Sequence, residues 1–241
     1  MAESNQTEFV QIFEAQFDDE GVYFYQAYND NVANWALEHQ KFGGPLYNKA
    51  RMTWIKPSFA WVLYRSGYGK KKNQTRILKI KLSHDTVASE LLFQLQNRLN
   101  LFDRNFIQGI LSECRCGHGG GGGNGRVQWD PARDILEGEK GEPKKKYSRH
   151  RAIQIGVKGK LNEFYVAQTI SIEDVTELAH KVCQAHASKT PKEEMAKLLP
   201  ELPKERSYKP SCSDEVLIDL GMLPGETAKA VARIGLGKAI L

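Results

Sequence analysis

Hydrophobic positions recur along the chain with two different periods, and the period assigns the elements. VYFYQAY (22–28) is β-branched and aromatic and predicts a strand ended by Asn29-Asp30. Asp30 can cap a helix whose apolar stripe is Val32, Ala33, Ala36 and Leu37, with Gly43-Gly44-Pro45 as its end. MTWI (52–55) predicts a short strand stopped by Lys56-Pro57. Ser58 then caps a helix in which Phe59, Val62 and Leu63 share a face, and Gly67 terminates it. TRILKIKL (75–82) alternates in period two, with Ile77, Lys79 and Lys81 on one side and Leu78, Ile80 and Leu82 on the other. Residues 85–112 carry a helical pattern through Val87, Leu91, Leu92, Leu95 and Leu99. RVQW (126–129), cut by Asp130-Pro131, and RAIQIGV (151–157) predict late strands, and the charged stretch 137–149 between them reads as an exposed hairpin loop. Residues 161–169 read as strand-like or mixed, and DVTELAHKVCQAHA (174–187) predicts a helix.

Strand, helix, strand, helix, strand, helical insert and late strands in that order make an α+β protein. The expected organisation is one α+β domain over residues 1–187, with a glycine-rich loop at 117–125. Residues 188–241 read as a loosely attached, irregular tail, rich in Pro, Lys and Glu, with a short helix at 214–220 or 226–234.

Composition narrows the class. The 241 residues are 41% hydrophobic, an ordinary globular proportion. No apolar run reaches the roughly 18–20 residues of a membrane helix, and the acidic N-terminus lacks a signal-peptide pattern. Four cysteines are too few for a disulfide scaffold. The expectation is an intracellular protein, cytoplasmic or nuclear, without a membrane. Cys114, Cys116 and His118 lack a second ligand pair, and His180, Cys183 and His186 recur on one helix, so no metal is expected at either place.

The net charge of +5 hides a segregation. Residues 1–40 hold eight acids and no Lys or Arg, residues 49–81 hold ten bases and no acid, and residues 143–160 hold seven bases and no acid. Surfaces ordinarily mix their signs, so the two basic blocks predict a localised anion site. Arg51, Arg65 and Arg151 lie in apolar sequence, where a guanidinium needs an anionic or carbonyl partner. The helix start at Ser58, with Lys56 beside it, offers unpaired backbone N–H groups to a phosphate or carboxylate.

The words YQAYN (25–29), RMTWIKPSFAWVLYRSGYG (51–69), RILKIKL (76–82), VQWDPAR (127–133), RAIQIGV (151–157) and ISIEDVTELAH (170–180) are long and tryptophan-rich. Through them the chain resembles, over residues 22–182, an uncharacterised family catalogued as domain of unknown function 4291. The glycine run and the segment after 187 depart from that pattern and read as lineage-specific additions.

More distantly, the element order resembles the ADP-ribosyltransferase superfamily, which splits the glycosidic bond of NAD. That resemblance implies a split mixed or antiparallel sheet with flanking helices. It implies Tyr25, Gln26 or Tyr28 facing the nucleotide, Ser58 or Thr53 on the second strand, and Asp130 or Gln154 where the superfamily carries a Glu that steadies the oxocarbenium-like ribose. The first strand here has no clear Arg or His and the late strands no Glu, and a Gln supplies no formal negative charge. The resulting expectation is an NAD-dependent transferase acting on a nucleotide or nucleic-acid acceptor. Gln26, Ser58, Asp130 and Gln154 are its candidate catalytic residues. Tyr25, Tyr28, Arg51, Thr53, Lys56, Tyr64, Arg65 and Arg151 are the candidates for binding NAD. The alternative is a non-catalytic module for single-stranded nucleic acid or another anion. There Lys70–Lys72 and Lys144–Lys146 grip phosphates while Tyr64 or Tyr68 stacks on a base.

Overall fold

The alternation in RILKIKL sets the first sheet. A computed structural model describes residues 10–88, 125–139, 142–146 and 150–222. In chain order the elements are β1 (Val10–Gln11), β2 (Glu14–Ala15), β3 (Gly21–Tyr28), α1 (Asp30–His39), β4 (Thr53–Ile55), α2 (Phe59–Ser66) and β5 (Arg76–Ser83). There follow β6 (Gly125–Pro131), β7 (Arg133–Glu139), β8 (Glu142–Lys145), β9 (His150–Val157), α3 (Lys160–Ala167), β10 (Thr169–Asp174), α4 (Thr176–Ala187), α5 (Pro191–Leu198), β11 (Arg206–Ser207) and α6 (Asp214–Asp219). The architecture is α+β, as the pattern predicts. Strand β5 lies at the centre of an antiparallel sheet ordered β10-β5-β3, and β9 at the centre of a mixed sheet in which β1 runs parallel to it and β4 and β6 antiparallel. The helical pattern over 85–112 and the glycine-rich loop fall largely or wholly outside the described residues.

One core joins the inner faces of the two sheets: Val22, Phe24, Leu78, Ile80 and Leu82 meet Ile55, Trp129, Ile153, Ile155 and Val157. A second cluster lies on the other face of the antiparallel sheet, where Tyr25 and Ile77 pack with Phe59, Val62 and Leu63 of α2 and Ala179 and Val182 of α4. The backbones of Tyr25 and Lys56 exchange two hydrogen bonds, of 2.7 and 3.3 Å, and so link β3 to the end of β4.

Local chemistry closes the helices. Ser58 accepts from Trp61 N, and Gly67, at φ 59°, takes the left-handed turn that ends α2 and donates to Leu63 and Tyr64 carbonyls. The cap of α1 is Asn29, which accepts from Val32 N at 3.0 Å, rather than Asp30. Asp30 sits one place later, where a carboxylate favours the positive helix end.

Three further expectations differ from the structure. Residues 161–169 are mainly helix α3, because Leu161, Tyr165 and Val166 bury one helical face despite their strand propensity. The stretch 137–149 is not simply a loop: β7 pairs with β8, with Pro143 covered while charges point outward. The segment after 188 is docked rather than loose through residue 222. Met195, Leu202, Tyr208, Val216, Leu217, Leu220 and Met222 are buried, β11 pairs with β2, and Trp129 Nε1 donates to Leu220 O at 2.9 Å. Single apolar anchors spaced through charged sequence leave its average polar, and the core supplies their partners.

Candidate functional site

Strand register places the candidate residues on one face of the mixed sheet. Trp54, Gly156 and Arg126 are cross-strand partners, Gln128 faces Gln154, and Asp130 faces Ala152. Their neighbours Ile55, Ile155, Val157 and Ile153 point into the core, so period two sends this set outward. Lys56 follows Trp54 by two positions and keeps to the same side. Burial grades along the face. Gln154 and Ala152 are buried, Lys56, Asp130 and Trp54 half-buried, and Arg126 and Gln128 exposed.

At its centre is a carboxylate held by two amides. Gln128 Nε2 donates to Asp130 Oδ1 at 2.9 Å, and Gln154 Nε2 donates to Asp130 Oδ2. Burial raises the Asp130 pKa, opposed by those bonds and by the charges of Lys56 and Arg151. Burial lowers Lys56 to about 8, helped by Arg65 and opposed by Asp130. Its ammonium donates to Trp54 O at 3.4 Å. An acid pushed up and a base pushed down on one face of a sheet is an arrangement suited to proton transfer and to stabilising developing charge.

Other candidates lie elsewhere. Gln26 is buried and structural: its Nε2 donates to Trp54 O at 3.1 Å and its Oε1 accepts from Tyr165 OH at 2.8 Å. Tyr25 is fully buried, its ring tilted against Phe59, with its hydroxyl donating to Gln16. It borders a cavity of about 150 Å³ shared with Phe59, Lys79 and Glu173, too small for a dinucleotide. Tyr28 contacts Thr53 and Tyr47 through its hydroxyl, and burial pushes its pKa well up. Thr53 points to the same interior. Neither Arg51 nor Arg65 is enclosed, for both are exposed, and Arg65 occupies the last turn of α2, where a cation suits the helix dipole. Arg151 is half-buried at the start of β9. Tyr64 packs on Trp61 and under the Arg133 guanidinium, 3.5 Å from its ring centre.

Folding undoes part of the charge segregation of the sequence. Acids of the first forty residues pair with the basic blocks: Lys81 with Asp18 at 2.9 Å, Lys146 with Glu14 at 3.0 Å, Arg76 with Asp30 at 3.6 Å. Lys144 pairs with Glu137 at 2.5 Å, so Lys144 and Lys146 of the Lys144–Lys146 triplet are engaged within the chain.

The anion site expected at the start of α2 exists, and its occupant is the chain's own Glu205. Phe59 N donates to Glu205 Oε1 at 2.6 Å, and the Ser58 hydroxyl contacts the same carboxylate. Ser58 is thereby committed to capping. Glu205 sits in a Lys- and Pro-rich stretch that reads as solvated, and nothing local in the sequence marks it out.

The family described as Domain of unknown function (DUF4291) matches residues 12–208, which extends beyond residue 187 into the stretch read above as an addition. No curated protein and no solved structure matches the chain.

Proposed function

From the membership of the chain in the family described as Domain of unknown function (DUF4291), which names no chemistry, we propose an activity on the strength of the polar cluster around Asp130: an ADP-ribosyltransferase-like enzyme that cleaves NAD and passes the ADP-ribosyl group to a nucleotide or nucleic-acid acceptor. The observation that carries this reading is Asp130, a desolvated carboxylate fixed by Gln128 and Gln154 beside Lys56. NAD enters as substrate. Its C–N bond to nicotinamide breaks with the electron pair leaving on the ring, and a preorganised carboxylate stabilises the ribosyl cation that develops. Lys56, held at about 8, is about one-tenth neutral at pH 7 and can accept the proton the acceptor loses. In this assignment Asp130 and Gln154 act together, Gln154 positioning and Asp130 supplying the charge. Gln26 and Ser58 have structural roles.

The test is NAD consumption and nicotinamide release by the full chain with RNA, DNA or free nucleotides supplied as acceptors. Wild type should release nicotinamide, and Asp130→Asn, which keeps the shape and removes the charge, should lower kcat by roughly a hundredfold or more at unchanged fold. Absence of turnover with every acceptor, together with no thermal shift by NAD, refutes the reading.

A further inference from the structure

The strongest feature that the catalytic reading leaves unused is the row of Trp54, Gly156 and Arg126 on the same face. Trp54 is half-buried at the polar face of β4, and its cross-strand neighbour is Gly156. A Cβ built on Gly156 would stand 3.0 and 3.1 Å from two ring carbons of the Trp54 indole and 2.9 Å from Met52 Sδ. The indole therefore lies over the glycine, in space any other residue would fill. Arg126 is the partner of Gly156 on the opposite strand, so the row reads indole, bare backbone, guanidinium. Lys56 lies two residues further along β4, and its ammonium bonds the Trp54 carbonyl. Strands are about 4.8 Å apart, so Arg126 and Trp54 are separated by about 10 Å across the row.

We infer that Trp54, its indole packed over Gly156, is a stacking platform for the purine base of a nucleotide whose phosphates are met by Lys56 and Arg126. A flat ring at the rim of a face carrying two cations matches the two parts of a nucleotide, an apolar π-surface and a polyanion. The glycine is needed for the fit. A methyl at residue 156 meets Met52 Sδ at 2.9 Å and the indole edge at 3.0 and 3.1 Å, so both side chains must shift to admit it. The platform rests on reading this face as the substrate-binding face; it uses Lys56 in the charged form that predominates at pH 7 and not the proton transfer proposed for it.

The experiment is equilibrium binding of AMP to the full chain, followed by tryptophan fluorescence and by calorimetry, with ribose 5-phosphate as the probe that lacks a base. AMP should bind and quench, and ribose 5-phosphate should bind more weakly without quenching. Trp54→Leu should weaken AMP roughly ten- to hundredfold while leaving ribose 5-phosphate unchanged, the range that one stacked base supplies. Trp54→Phe should recover part of the affinity, and Gly156→Ala should lose it while retaining the wild-type far-UV spectrum. If Trp54→Leu fails to fold, the Phe and Gly156→Ala variants carry the comparison. The platform is overturned if wild type binds no AMP at millimolar concentration, or if Trp54→Leu or Gly156→Ala binds it as wild type does. AMP binding through Trp54 without any NAD turnover leaves the platform standing and removes the catalytic reading. NAD turnover with an unchanged KM in Trp54→Leu does the reverse.

Discussion

Glu205→Gln should stabilise the protein at alkaline pH and not at acidic pH. Burial holds the Glu205 carboxyl at about 7 against an ordinary 4.5, opposed by the Phe59 N–H and the charge of Lys146 and reinforced by Glu14. The folded state keeps its proton over a range in which the unfolded chain has lost it. Stability therefore falls as pH rises from about 4.5 to about 7, and the whole cost is present above that. The gap corresponds to roughly 3 kcal/mol. Glu205 keeps some exposure, which brings the expected figure to about 2–3 kcal/mol. Glutamine retains an oxygen to accept from Phe59 N and carries no charge to desolvate. Denaturant titration of both proteins at pH 8.5 and pH 4 should show the variant ahead by about 2–3 kcal/mol at the higher pH and level with wild type at the lower. Glu205→Ala, which removes the acceptor, should lose about 1 kcal/mol at pH 4. A Glu205→Gln protein less stable than wild type at pH 8.5 refutes the reasoning. It would mean that the positive end of α2 more than compensates the buried charge.

Two further outcomes follow from hydrogen bonds. Tyr165→Phe leaves the buried Gln26 oxygen without its 2.8 Å donor and should cost about 1–3 kcal/mol in denaturant titration; a loss under 0.5 kcal/mol would show that the bond is replaced. Asn29→Ala removes the cap of α1 and should cost about 1 kcal/mol, whereas Asp30→Ala, which touches no cap, should cost less; the reverse order would restore Asp30 as the cap.

Much of the fold was readable where one local rule dominates. Ser58 and Gly67 bracket α2 because a hydroxyl and a left-handed glycine act on their immediate neighbours. The alternation in β5 survives because Leu78, Ile80 and Leu82 meet the core between the sheets while Lys79 and Lys81 on the other face pair with Glu173 and Asp18. Asp130 and Gln154 were both identifiable as candidates, although their separation of more than twenty residues concealed that they touch. Gln26 and Tyr25 misled because a polar or aromatic residue on a strand looks alike whether it faces a ligand or a buried partner. Tyr165, Trp54 O and Gln16 settle that, from distant parts of the chain.

The sequence by itself determined the α+β class, the caps of α2, the inward face of β5 and the family to which the chain belongs, because these depend on spacing and residue type along a short stretch. Tertiary structure decided the rest. It paired the acidic first forty residues with the basic blocks, filled the α2 terminus with Glu205 and set Asp130 between Gln128 and Gln154. Electrostatic and hydrogen-bond partners are chosen by distance in space, and burial sets their strength, so neither can be read from order along the chain.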